Sequence, residues 1–261
     1  MTLFYVYAVV GLFGAVVGSF LNVCIYRIPL GKNIVSPPSH CPGCDTPILW
    51  RNNVPVFGWL LLKGRCRHCG EPISILYPLV ELISALLAIW TVYNFGLRWE
   101  SLGFIIFGYA LLVLSMIDLE HYILPNVITY PGMLAGLLFA AAPGLGAPVP
   151  DFTAALWGLA VGGGGLWLFA WVFGRITGKE GMGLGDVKLL GMIGAWLGWQ
   201  SLPFALFVAA LVGSVVGIVW MVVAQRNKNM PIPFGPYLAG AAWLYLFYGN
   251  QAYTWYFNLM G

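Results

Sequence analysis

What most constrains this chain is a succession of long apolar runs that carry almost no charge, such as "SLPFALFVAALVGSVVGIVWMVVA" at 201–224. A helix needs about 20 mostly apolar residues to cross a bilayer. Eight runs of roughly that kind can be drawn, over about 3–23, 75–95, 101–117, 127–142, 153–174, 184–200, 203–224 and 233–249; the fourth and sixth are short and glycine-rich. None shows the alternation of roughly 10-residue barrel strands. With 60% hydrophobic and 8% charged residues, against roughly 25% charged in a soluble domain, the chain cannot cover itself with a water-facing surface. The expected fold is all-α, a polytopic membrane helical bundle of about eight transmembrane helices. No internal repeat or low-complexity tract stands out.

A signal peptide opens with a basic segment and closes on a small-residue cleavage site. Here no Lys or Arg precedes the first run, and Arg27 follows it. The run is therefore expected to be a retained span with its N-terminus outside. With eight spans, the inner segments become 24–74, 118–126, 175–183 and 225–232. Arg27, Lys32, Arg51, Lys63, Arg65, Arg67, Arg175, Lys179, Arg226 and Lys228 then fall inside, with Lys188 at the inner border. Only Arg98 falls outside, which is a positive-inside pattern. The formal net charge of +3 thus follows topology and is not a nucleic-acid surface. The domain expectation is a first span at 1–23, a cytoplasmic four-cysteine domain at 24–74 and a membrane bundle at 75–261.

The polar segment holds "HCPGCDTPI" and "GRCRHCGEPI". Cys41 and Cys44 form one C-x2-C pair, and Cys66 and Cys69 another. Four thiolates on two tight turns suit tetrahedral zinc, and the gap of 21 residues is close to the usual ribbon spacing of about 15–20. The alternatives are two disulfides, which rarely persist in a cytoplasm, or a metal-free redox site. Zinc would contribute directly to folding a loop with so little core. His40 and His68 read as neighbours of the site, and Cys24 as a packing residue.

The nine acidic residues can be weighed one by one. Asp45 and Glu71 belong to the cysteine loop, Glu100 and Asp151 to outer span ends, and Glu81 lies two turns into the second span. Asp118, Glu120, Glu180 and Asp186 gather at inner membrane borders. A carboxylate at mid-bilayer costs about 2.5–3.5 kcal/mol on insertion scales, so such acids call for a use or a partner. The bland accounts of Asp118 and Asp186 are a lysine partner or a helix N-cap. The chemical account is a pair that shares one proton: one member takes a proton from attacking water while the other polarises a peptide carbonyl. The glycines of "GMGLG" would permit close approach and irregular backbone at membrane depth.

"GSFLNVCIYRIP" at 18–29, the two cysteine pairs, "IDLEHYILPN" at 117–126, "EGMGLGDVKLL" at 180–190 and "PIPFGPYLA" at 231–239 together resemble the bacterial prepilin peptidases, in the same order from first span to last. The G-x-G-D signature of these membrane aspartic proteases is matched by Gly183, Leu184, Gly185 and Asp186, and the second catalytic aspartate by Asp118. Cys24 stands where such proteins often carry another small apolar residue. The resemblance implies an enzyme of the bacterial inner membrane that removes short basic leaders from type IV prepilins and pseudopilins. It also implies N-methylation of the new terminus from S-adenosylmethionine, a second activity that goes with the four-cysteine loop. No glycine-rich nucleotide fingerprint places the methyl donor. Glu120, Glu180 and Lys188 are expected near the site, the two acids as the nearest attraction for a basic leader, with lipid head groups as the other.

Three other readings compete. A peptidase without methyltransferase activity fits the same motifs. A proton or cation transporter would string polar residues through several spans, whereas these acids cluster near one face. A zinc-organised scaffold would tolerate loss of Asp118.

Overall fold

The computed structural model describes residues 2–41, 43–49, 52–142, 145, 148–178, 183–224 and 232–260. Among them every regular element is helical, and the only β-pairing is two isolated bridges. The chain divides into two compact units, Met1–Val113 and Leu114–Gly261.

In the first unit, α1 (Thr2–Arg27) packs against α3 (Leu76–Phe95). Ile28 and Pro29 follow α1 and end it, since proline lacks the N–H a further turn needs. Pro78 sits in the first turn of α3, where that loss is harmless. Small residues let the two backbones meet: a Cβ on Gly14 would lie 2.9 Å from the Ala85 Cα, and one on Gly18 2.7 Å from the Glu81 Cα. Close contact through small residues is how helices associate where water gives no driving force. Between them lies the cysteine loop with a short helix, α2 (Phe57–Leu61). α4 (Trp99–His121) begins in this unit and carries Asp118 into the second.

The second unit is built around α8 (Leu184–Leu197), which is buried at Val187 and from Leu189 to Leu197. Packed on α8 are α5 (Asn126–Ala141), α6 (Phe152–Leu159), the π-helical turn Ala160–Gly165, α9 (Ser201–Ala224) and α10 (Gly235–Met260). The π-helical turn coincides with the run Gly162–Gly165 and leads into α7 (Leu166–Thr177). A Cβ on Gly194 would land inside the Gly158 carbonyl, so the α6–α8 crossing requires glycine on both sides. α8 stops at Gly198, φ 79°, a left-handed conformation that glycine adopts without penalty.

Five helices among the described residues are long and apolar enough to cross a membrane: Leu3–Arg27, Leu76–Phe95, Trp99–His121, Phe152–Thr177 and Ser201–Val223. The chain is a multi-pass membrane protein. α5 and α8, with 16 and 14 residues, rise about 24 and 21 Å at 1.5 Å per residue, short of a hydrocarbon core of about 30 Å. Helix length and apolarity therefore account for five crossings, where eight were expected.

Candidate active site and metal centre

Asp118 lies in the last turn of α4 and is 5% exposed. Its carbonyl accepts the Tyr122 N–H at 3.0 Å, and Tyr122 turns the chain out of the helix with φ 57°. Its carboxylate faces the start of α10: the Gly235 backbone N–H donates to Asp118 Oδ2 at 2.9 Å. The first N–H groups of a helix have no partner within it and carry the positive end of its dipole. Asp118 is thus a buried carboxylate held by another helix's N-terminus. Gly235 must be glycine for this approach, because a Cβ there would lie 2.7 Å from Oδ2.

Asp186 sits in the first turn of α8 and is half-buried. The N-cap of that helix is Gly183, in extended conformation, and no side chain caps it; Asp186 donates its backbone N–H to the Gly183 carbonyl at 3.1 Å. Of the two bland accounts, then, capping applies to Asp118 and on a different helix, while Asp186 does not cap its own. Neither aspartate is paired with Lys or Arg among the described residues. The charge of Asp118 acts electrostatically on Asp186.

Leu124, buried between the two acids in sequence, explains the glycine signature locally. A Cβ on Gly185 would sit 3.2 Å from Leu124 Cβ, and one on Gly235 3.3 Å from Leu124 Cδ2. One leucine side chain therefore packs on the backbone beside each aspartate. The close approach expected of the glycines is met at Gly185; Gly183 and Gly185 have negative φ, and Gly181 lies outside the described residues.

The other expected site residues separate. Lys188 donates to Asn126 Oδ1 at 2.7 Å and stands 5.5 Å from the centre of the Tyr130 ring. Glu120 is exposed and lies 4.0 Å from His121 Nε2. Glu180 lies outside the described residues. Glu81, for which the sequence offered no partner, is buried and accepts the Val56 N–H at 2.7 Å. It thereby holds Val56, the residue before α2, at φ 62°, a conformation β-branched side chains rarely adopt.

The four sulfurs of Cys41, Cys44, Cys66 and Cys69 all lie within 4.8 Å of one another. Cys41–Cys69 and Cys44–Cys66 are 3.7 and 4.0 Å apart, far beyond a disulfide bond. A tetrahedron with metal–sulfur bonds of 2.3 Å has edges of about 3.8 Å, so the cluster fits a tetrahedral ion. Two matching turns build it. Cys41 N bonds Thr46 O and Asp45 N bonds Cys41 O; in the second turn Cys66 N bonds Glu71 O and Gly70 N bonds Cys66 O. The bridges His40–Pro47 and Arg65–Pro72 also correspond. The described residues of 39–48 and of 64–73 form one structural unit used twice, although no repeat stood out in sequence. Backbone N–H groups of Cys69 and then His68 pull the Cys66 thiol down to about 6. At Cys69 the Glu71 N–H pulls down, but burial and the three neighbouring sulfurs outweigh it and raise the thiol to about 12. His40 turns its ring to the Pro38 carbonyl, 3.1 Å away, and Cys24 is buried in α1 as a packing residue.

Two family models match the chain. The bacterial peptidase A24 N-terminal domain covers residues 12–95, and the type IV leader peptidase family covers 105–218. Among curated proteins, the chain is 39% identical to a prepilin leader peptidase/N-methyltransferase of Aeromonas hydrophila, over 96% of this chain and 93% of that one. It is 41% identical to the Stutzerimonas stutzeri protein of the same name, over 91% and 89%. The Pseudomonas aeruginosa protein is 39% identical over 96% and 93%. No solved structure matches.

Proposed function

Because this chain belongs to the type IV leader peptidase family, we propose that it is an aspartic endopeptidase that removes short basic leaders from type IV prepilins and pseudopilins and N-methylates the new terminus. The observation that supports this reading is that Leu124 packs against both Gly185, the neighbour of Asp186, and Gly235, whose N–H holds Asp118. Two aspartates working as a pair there would share a proton. The ionised one takes a proton from water as its oxygen attacks the scissile carbonyl carbon. The protonated one donates to the carbonyl oxygen, and the leaving amine is protonated as the C–N bond breaks. The titration belongs to the pair, so neither residue alone is the base. The Gly235 N–H stabilises charge on Asp118, and burial keeps water other than the nucleophile away from it.

Cys41, Cys44, Cys66 and Cys69 would hold zinc, which ties the two turns together and supplies no step. S-adenosylmethionine supplies the methyl group for the second activity. The enzyme sits in the bacterial inner membrane with its N-terminus outside, so that both aspartates lie at the cytoplasmic face, level with the junction between a soluble leader and an apolar substrate helix. The test is purified protein with a prepilin and an isotopically labelled methyl donor. Mass loss of the leader followed by label on the new terminus is expected. Intact prepilin overturns the peptidase reading, and cleavage without label leaves a peptidase alone.

A further inference from the structure

Lys188 and Asn126 take no part in the proton transfers above, yet they join the chain segments that carry the two aspartates. We propose that the Lys188–Asn126 hydrogen bond is a positioning strut that sets Asp186 against Asp118, an inference that rests on the aspartic-peptidase reading.

The covalent paths are short and stiff. From Asp118 the chain leaves α4 at Tyr122 in left-handed conformation, buries Leu124, and passes through Pro125, whose φ of −63° is fixed by its ring, into Asn126, the first residue of α5. From Asp186, Lys188 is two residues further along α8, on the stretch where that helix becomes buried. The 2.7 Å bond from Lys188 Nζ to Asn126 Oδ1 closes these two segments into a ring.

Several features favour a strut over an incidental surface contact. The Tyr130 ring, one turn along α5 from Asn126, lies under the same ammonium at 5.5 Å and restrains it from a second side. A separate bond, Trp196 Nε1 to the Gly132 carbonyl at 2.8 Å, pins α5 to α8 deeper in the unit, so the Lys188 bond governs the end where the aspartates lie. The ammonium has no carboxylate partner among the described residues, although Asp186 is two positions away in sequence. The bond is exposed, so it contributes little to folding, whereas a misplacement of about 1 Å in a reacting pair can cost up to about 100-fold in rate.

The test uses the full-length purified enzyme and a prepilin substrate. Lys188→Met and Asn126→Leu are each expected to lower kcat about tenfold or more, with KM within about twofold and Tm unchanged. Lys188→Arg and Asn126→Asp, which keep a donor and an acceptor, are expected to restore kcat to within about threefold of wild type. The Lys188→Met/Asn126→Leu double variant is expected to be no worse than the poorer single one, as two ends of one bond should be. Unchanged kcat in the single variants, additive losses, or losses that follow Tm in every variant would each overturn the strut. Wild-type enzyme that fails to cut prepilin would instead overturn the peptidase reading.

Discussion

At the scale of single residues, Asp118 is defined by what touches it. Its carboxylate ends on the Gly235 N–H at 2.9 Å, and the space around Gly235 admits no side chain: Oδ2, Cγ of Asp118 and Leu124 Cδ2 would lie 2.7, 3.2 and 3.3 Å from a Cβ. Gly235→Ala is therefore expected to displace the carboxylate and lower kcat for leader cleavage at least tenfold, while the protein still inserts in the membrane. Steady-state kinetics on a prepilin checks this, and near-normal kcat would mean that Asp118 tolerates movement. Asp118 and Asp186 stood out in sequence because an acid beside a long apolar run is conspicuous in a chain with nine acids. Gly235 did not: it falls inside the last apolar run, 233–249, and its partner is far away in sequence. Glu81 was missed for the same reason, since nothing near it in sequence points to the Val56 N–H.

At the scale of elements, Pro29, Pro125, Gly96, Gly178 and Gly198 all stand where helices stop or start. The ends expected from apolar runs alone fall a few residues away, at 23 against Arg27 and at 200 against Leu197. α10 runs on to Met260 beyond the expected 249, because the polar "GNQ" ends an apolar run without ending the backbone hydrogen bonding. The twofold build of the cysteine loop was hidden because 39–48 and 64–73 share little beyond their cysteines, the Pro-Ile pair and the backbone bonding that sequence does not display. This element makes a prediction. Purified protein is expected to hold about one zinc per chain, and a Cys41→Ser/Cys66→Ser double variant to lose it, as read by metal analysis. Binding must release the proton that Cys69, raised to about 12, retains at neutral pH. Cys66, at about 6, is already a thiolate there and regains its proton only below that value. Zinc affinity is thus expected to fall as pH falls, most steeply below about 6. Full zinc retention by the double variant would place the metal elsewhere.

At the scale of the whole molecule, charge is sparse. Eleven of the twelve basic residues fall on or at the border of the segments expected inside, and helices with few charges carry most of the mass. The number of crossings was less legible, because hydropathy marks apolar stretches without distinguishing a span from a short buried helix such as α8. That helix is central to its unit, and its first turn carries Asp186. The account stands or falls on that carboxylate and Asp118 acting as one unit. An amide preserves shape but cannot take up a proton, and removing either half of a unit should cost nearly as much as removing both. The direct measurement is leader removal, followed by mass, with purified wild type, Asp118→Asn, Asp186→Asn and the double variant, each first shown to insert in the membrane. The account predicts complete cleavage by wild type and none by any variant; near-normal processing by either single variant would contradict it.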